Sequence, residues 1–379
     1  MTAAISAAGQ GAGTVRLIEK NSIPGRKLLA TGNGRCNLTN TGCSDAEEVL
    51  GFFSGLGLLT KVEEEGRVYP YSEQASAVQE ALVNELLARR VEILCDVEVK
   101  AVESVEPGFR VFTEQDSFFT DAVILATGGK AGPQYGSTGD GYRFAKALGH
   151  TVTRLKPSLV RMVSDEPFFQ ALKGVRAKGQ AELLRGNEVI DREAGEIQFT
   201  EDGLSGICIF NLSREFVRGD VIILDLFPGY GEEVFADMMA KRAKSPENRT
   251  LSQFFSGILH KKLIPVILSE LSLDGTRKAD SLDKEEIERI TRLLKGWRIA
   301  ISATKGWKEA QTTSGGVDLA EVDLDSMESK LVPGLYFSGE ILNMDGKCGG
   351  YNLQWAWYSG LIAGRSAAAA QRKQYAQDT

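Results

Sequence analysis

Three short apolar runs in this chain end in the same manner. Thr14-Val-Arg-Leu-Ile-Glu19 closes on an acid, Asp121-Ala-Val-Ile-Leu-Ala-Thr-Gly-Gly129 breaks into glycines, and Leu331-Val-Pro-Gly-Leu-Tyr-Phe-Ser-Gly-Glu340 ends in glycine and acid. Continuous apolar runs of this length predict strands buried on both faces of a parallel sheet. A glycine at the carboxyl end of such a strand lets backbone pass close beneath a nucleotide, and a carboxylate there can hold ribose hydroxyls. The three ends together point to a doubly wound α/β sheet with a ligand along one edge.

The start of the chain bears on this reading. Residues 1–12, MTAAISAAGQGA, set Ala4, Ile5, Ala8 and Ala12 at helical spacing and predict a helix with a smooth face that packs closely against a sheet. In dinucleotide-binding βαβ units the ribose-binding acid lies ~20 residues beyond a glycine-rich turn that meets the pyrophosphate. Counting back from Glu19 sets that turn at or before Met1. The helix and second strand are present, whereas the first strand and its G-x-G-x-x-G are expected to precede Met1. The competing reading is a helix–strand pair of another fold.

Directly after the first strand, residues 21–42 read NSIPGRKLLATGNGRCNLTNTG, dense in Gly, Asn, Thr and basic side chains. Gly32-Asn33-Gly34-Arg35 has the makings of a backbone nest whose N–H groups point at an anion, with charge added by Arg35 and Lys27. Asn37 and Asn40 can donate to and accept from a heterocycle. The alternative is an ordinary surface loop. Near the other end, Gly349-Gly350 opens an alanine-rich helix running to about residue 370, whose N-terminus would favour negative charge. Asp140 in Ser137-Thr-Gly-Asp-Gly141 reads as the N-cap of a helix over 142–148, with a second role near a cofactor left open.

Composition narrows the classes. The 379 residues are 42% hydrophobic and 25% charged, as in a globular protein of two or three domains. A net charge of −7 leaves no electrostatic footprint for nucleic acid. Neither a membrane helix nor a signal peptide is legible, so a cytoplasmic location is expected. Five scattered cysteines suit a reducing compartment, and two histidines give a zinc site or a His-based triad little to build on. The sequons at Asn37, Asn211 and Asn248 read as chance matches.

Along the chain, residues 76–90 predict an amphipathic helix with Ala77, Ala81, Leu82, Leu86 and Leu87 as its stripe. A buried strand follows at 91–94, then an antiparallel meander over 97–105, 108–113 and 117–120. From about residue 151 short β-like stretches (151–155, 181–185, 207–212, 221–226) alternate with glycine turns, and from 232 to 294 helical patterning dominates, with charged tracts as solvated faces. A strand at 298–303 is expected to return to the first domain. The fold class expected is α/β, a Rossmann-like domain over 1–150 and 300–379. It is split by a β-rich, barrel-like insert (151–231) and a helical subdomain (232–299).

Several long stretches resemble the BaiN/YhiN-type NAD(P)/FAD-dependent oxidoreductases of the glutathione-reductase-like FAD superfamily. They are PGRKLLATGNGRCNLTN (24–40), ILATGGKAGPQYGSTGDGYRFAKALGH (124–150), PSLV (157–160), FTEDGLSG (199–206), TSGGVDLAEVDLDSMESKLVPGLYFSGE (313–340) and DGKCGGYNLQWAW (345–357). That family begins with a strand and a GGG-x-A-G type loop directly before a segment like residues 2–12, which sharpens the expectation about the start. Its members usually carry an acid where this chain has Asn343.

The resemblance implies FAD as cofactor. Glu19 would hold the adenosine ribose, and Lys27 with Thr31, Gly32, Asn33, Gly34, Arg35, Cys36 and Asn37 would line the flavin side. Thr127, Gly128 and Gly129 would pass near the adenine half, and Gly339 and Glu340 near the pyrophosphate and ribityl. Gly350, Tyr351, Asn352 and Leu353 would sit under the isoalloxazine. The implied activity is hydride transfer between flavin N5 and a small organic substrate entering between the FAD domain and the insert, with NAD(P)H or oxygen as redox partner. No second G-x-G-x-x-G offers a separate nicotinamide domain. Cys348 reads either as a redox thiol or as packing, and no general base is named. The competing functions are a flavin-dependent RNA-modifying enzyme, which the acidic balance disfavours, and a non-catalytic remnant unable to hold FAD.

Overall fold

The apolar runs that end in glycine or acid form parallel strands. Arg16–Ile18 pairs in parallel with Glu92–Leu94, and Val123–Leu125 with Leu335–Phe337. Ladder hydrogen bonds divide these pairs between two sheets, the second widened antiparallel by Glu328–Ser329 and Val322–Asp323. Of the strand expected to be buried at 91–94, Val91 is buried, Glu92 is exposed, and Ile93 and Leu94 are half-buried. The meander forms as expected from Val99–Ser104, Phe109–Thr113 and Ser117–Thr120.

The computed structural model describes residues 1–244 and 249–377, so the sequon position Asn248 lies outside the described residues. The chain divides into two compact units, Met1–Ser158 with Ala310–Thr379, and Leu159–Glu309.

In the first unit, helix Thr2–Gly9 packs against helix Tyr351–Gln377, and its Ile5 shares a core with Leu17 and Ile93 of the parallel strands. Glycine permits the close approach: a Cβ at Gly364 would lie 2.2 Å from the Ala3 carbonyl oxygen. Helix Ala75–Ala88 buries Ala75, Val78, Leu82 and Leu86, which corrects the expected stripe. Leu87 is 60% exposed because it falls on the far side of that helical face. Ile5, Leu28, Leu38, Phe53, Leu82 and Trp357 join these elements in one core.

The second unit is built on a seven-stranded antiparallel sheet. Its order is Trp297–Ala300, Val221–Asp225, Arg176–Arg185, Glu188–Phe199, Gly203–Ser205, Met162–Val163 and Ala303–Thr304. The two edge strands are separated in sequence by Ile301 and Ser302 alone, and so short a link cannot span an open sheet. The sheet must curl until its edges meet, the barrel-like form expected. Trp297–Ala300, expected to return to the first domain, instead pairs with Val221–Leu224 inside this sheet, because its alternation buries Trp297 and Ile299 against the unit's own core.

Residues 207–212, read as a strand, form helix Ile207–Ser213. It buries Cys208, Ile209, Asn211, Leu212 and Ser213, and a helix covered on most sides shows no helical period. The helices over 232–295 share one core with the sheet, Phe235, Ile267 and Ile290 lying in the same cluster as Leu183, Ile222 and Trp297. Lys284–Lys295 opens with a reciprocal cap between Asp283 and Glu286 and keeps its charged tract outward. No helix among the described residues is long and apolar enough to cross a membrane.

Candidate functional site

The parallel register carries Glu19 to the end of its strand, where its N–H donates to the Leu94 carbonyl at 2.8 Å. Its Oε1 accepts from the Asn21 backbone N–H at 2.8 Å and from Asn21 Nδ2 at 2.7 Å. The loop over 132–140 lies against it: a Cβ at Gly136 would be 2.5 Å from Asn21 Nδ2. Beside it, Lys20 Nζ reaches Asp140 Oδ2 at 2.6 Å.

Asp140 is not the N-cap expected from the sequence. Gly139, at φ 83°, takes the cap position without a side chain, and Asp140 is the first residue of helix Asp140–Ala147. Its carboxylate turns to Lys20 and Thr138 instead. Burial opposes its ionisation, but Lys20, Thr138 and Arg143 outweigh burial and hold the carboxyl below its usual range.

A second group forms around Glu340. Its Oε2 accepts from Lys27 Nζ at 2.7 Å and its Oε1 from the Thr313 N–H at 2.8 Å. Thr313 Oγ1 in turn accepts from the N–H groups of Lys130 and Ala131, at 2.7 and 3.0 Å. Gly129 is demanded here, since a Cβ on it would meet Thr313 Oγ1 at 2.4 Å and Glu340 Oε1 at 2.5 Å. The structure thus brings together Lys27, Gly129 and Glu340, more than 300 residues apart at their extremes. Thr313 was not singled out from the sequence, although it opens the TSGG stretch. Tyr142 donates to the Glu340 carbonyl at 3.2 Å, and burial pushes its phenol above the ordinary range.

Thr127 and Gly128 follow the strand Val123–Leu125. Thr127 is exposed, and its hydroxyl occupies the space a Cβ on Gly141 would need. Gly339, at φ 76°, is held by the Ser359 hydroxyl, which accepts from its N–H at 2.9 Å.

A third group joins the loop over 31–40 to the glycine turn at 349–350. Leu28–Gly34 begins as a 3-10 helix and then leaves it, with Gly32 and Asn33 both at φ 56°. Thr31 donates its hydroxyl to Leu28 O, and the N–H groups of Arg35 and Cys36 return to Gly32 and Thr31, leaving Gly32, Asn33 and Gly34 exposed. Arg35, expected to add charge to this loop, lies over the Tyr69 ring and pairs with Glu63 and Glu73. Cys36 is buried at φ 59°, and burial pushes its thiol up to about 12.

Asn40 Nδ2 donates to the Gly349 carbonyl at 2.9 Å. Gly350, at φ 106°, sits so close that a Cβ would lie 2.3 Å from Thr39 O and 3.0 Å from Asn37 Oδ1. Tyr351 is 37% exposed, Asn352 ties down the loop through the N–H and carbonyl of Gly346 at 2.9 Å each, and Leu353 packs on the core beneath. No disulfide joins any of the five cysteines among the described residues.

These groups fit a flavin dinucleotide on two observations. Asn37 Oδ1, Thr312 Oγ1 and Gln354 Nε2 are buried polar atoms without a hydrogen-bond partner, as expected where a ligand completes the set. The donor set also matches: Glu19 and Glu340 suit sugar hydroxyls, Lys27 suits phosphate, and glycines at 129 and 350 mark close backbone approaches.

Fold and site together define an FAD-dependent oxidoreductase built on a Rossmann-type domain. The chain belongs to the HI0933-like family, whose Rossmann-domain model matches residues 44–366. It is 38% identical to the 3-dehydro-bile acid delta(4,6)-reductase of Clostridium scindens, over 97% of this chain and 96% of that protein. It is 27% identical to the ribosomal RNA dihydrouridine synthase of Escherichia coli, over 96% and 94% of the two chains. The protein of the same name in Haemophilus influenzae is also 27% identical, over 91% and 90%. Among solved structures it is similar, at a TM-score of 0.46 and 16% identity, to a 3-ketosteroid dehydrogenase of Rhodococcus jostii, over 97% and 94% of the two chains. That last likeness is too loose to bear on activity.

Proposed function

We propose that this enzyme reduces a carbon–carbon double bond conjugated to a carbonyl in a small organic substrate, with NAD(P)H as the hydride source. The observation that carries the reading is a shared bond type. The delta(4,6) bonds of a 3-dehydro bile acid and the ring double bond of uridine both stand in conjugation with a carbonyl. In such an acceptor the far carbon takes a hydride because the carbonyl oxygen stabilises the charge that develops, and a proton then completes the neighbouring carbon. One hydride equivalent and one proton balance the saturation of one bond.

Bound FAD supplies the two-electron chemistry, passing hydride through its N5 position. The chain's part is to hold and orient. Glu19 would accept from ribose hydroxyls, and Lys27, kept in place by Glu340, would face phosphate. Thr127 to Gly129 would let backbone pass near the adenine half, and Gly339 with Glu340 would lie near the ribityl. The loop from Thr31 to Asn37 and the turn at Gly350 to Leu353 would border the isoalloxazine. There the N-terminus of helix Tyr351–Gln377 favours negative charge.

A second reading, reduction of uridine in ribosomal RNA, is favoured by the names of the two 27%-identical relatives. The net charge of −7 weighs against it, because RNA binding draws on clustered basic side chains. The test is an anaerobic assay of purified, FAD-loaded protein, which also removes oxygen as a competing acceptor. NADH or NADPH should bleach the yellow colour, and a 3-oxo dienone steroid should restore it while gaining two hydrogens by mass spectrometry. Turnover of ribosomal RNA but not the dienone would replace the first reading with the second. Failure of both nicotinamides to bleach the protein would remove NAD(P)H as donor.

A further inference from the structure

Two of the buried atoms without partners belong to residues joined to the contact between Gly350 and Thr39, Asn37 directly and Gln354 through the Thr39 hydroxyl. Asn37 Oδ1 is shielded from solvent and sits 3.0 Å from where a Cβ on Gly350 would be. Gln354 is 5% exposed, one turn into the helix that Gly350 opens. Its Oε1 accepts from the Thr39 hydroxyl at 2.6 Å, which fixes the amide and leaves Nε2 without a partner. Thr39 is itself 0% exposed, and its carbonyl fills the space beside Gly350. One acceptor beside Gly350 and one donor tied to it through Thr39 are therefore each desolvated and each unanswered by the protein. Unanswered buried polar groups destabilise a fold, so their retention points to a ligand that answers both.

We infer that Asn37 and Gln354 form an acceptor–donor pair that reads the pyrimidine edge of the isoalloxazine. The inference rests on the proposal that the glycine turn borders that ring. The oxidised ring has a single N–H, at N3, flanked by the carbonyl oxygens at C2 and C4. An acceptor beside a donor is the complement of that edge. A phosphate, which offers acceptors only, leaves Asn37 Oδ1 unanswered. Thr39 is the positioning residue that keeps Gln354 in register, and donation from Gln354 to a ring carbonyl would stabilise negative charge in the reduced ring and raise the reduction potential. The sequence reading stopped at Leu353, since a glutamine inside a helix carries no signal of its own.

The test is FAD binding to the full-length apoprotein, read by quenching of flavin fluorescence, with FAD and its N3-methyl analogue as probes. The wild type should bind the methylated analogue roughly tenfold or more weakly than FAD. Asn37→Leu should lose a similar factor with FAD and be indifferent to methylation. Its apoprotein should melt no earlier than the wild type, because an unanswered atom has been removed, whereas a structural role would lower the melting temperature. Gln354→Met should bind FAD more weakly and shift its potential negative. If methylation weakens the wild type and Asn37→Leu equally, or the potential of Gln354→Met is unchanged, the inference is overturned. Lys27→Met separates this from failure of the site reading: loss of FAD affinity there with none in the pair overturns the pair alone, and loss in neither overturns both.

Discussion

Thr313→Val would test the tightest junction of the site. Thr313 is 1% exposed, and its Oγ1 takes the N–H groups of Lys130 and Ala131, at 2.7 and 3.0 Å. Valine keeps the shape and removes the acceptor. Ala131 is 0% exposed, so its N–H would be left without water or partner, at a cost of about 1–3 kcal/mol. Lys130 is exposed, and its N–H can be rehydrated, so there only the net worth of a hydrogen bond is lost, about 0.5–1.5 kcal/mol. The total is roughly 1.5–4.5 kcal/mol in local opening, or about ten- to a thousandfold in amide exchange rate. Hydrogen exchange at residues 130 and 131 measures it directly, without assuming a single unfolding transition for two units. Thr313→Ser keeps the oxygen and should cost only a methyl group, about 1 kcal/mol. Exchange in Thr313→Val within about threefold of wild type, or equal damage from serine, would refute the reasoning.

Three further outcomes are expected. Lys27→Met removes the half-buried cation that faces Glu340 and should weaken FAD binding roughly tenfold, as measured by fluorescence titration; an unchanged affinity would take Lys27 out of the site. Burial outweighs the pull of Glu321 and lowers the His150 pKa below its ordinary 6.5, so the native state holds neutral imidazole and the unfolded chain binds the extra proton. That contribution is complete above the unfolded value and lost as pH falls below it; the loss of urea stability on acidification should therefore shrink in His150→Gln, and an identical slope would contradict it. Burial pushes the Cys36 thiol up to about 12 and the Cys208 thiol up to about 11, so both should resist iodoacetamide in the native protein and react once it is unfolded. Peptide mapping of labelled protein would show the opposite if either thiol were accessible.

The strand ends at Glu19, Gly129 and Glu340 were legible because an apolar run closing on glycine or acid is a local pattern. So was the glycine turn at 349–350. The helix at 207–213 was not, since burial on most sides erases the helical period that identifies an amphipathic helix. Asp140 misled for a related reason. Its neighbours suggest a cap, but Lys20, 120 positions away in sequence, competes for the carboxylate. Arg35 looked like a charge available to the loop until Glu63 and Glu73 were found to hold it.

What the sequence by itself determined is the inventory: parallel strands that end in glycine or acid, a glycine-rich loop, family membership and the flavin cofactor that goes with it. These depend on residue type and near spacing, and on motifs long enough to be specific. Tertiary structure alone decided the pairings. It set Lys27 on Glu340, tied Thr313 to the turn after Gly129, and left one buried atom each of Asn37 and Gln354 without a partner. The reason is physical: a hydrogen bond between residues hundreds of positions apart has no local signature, and an unanswered buried atom exists only after everything around it has packed.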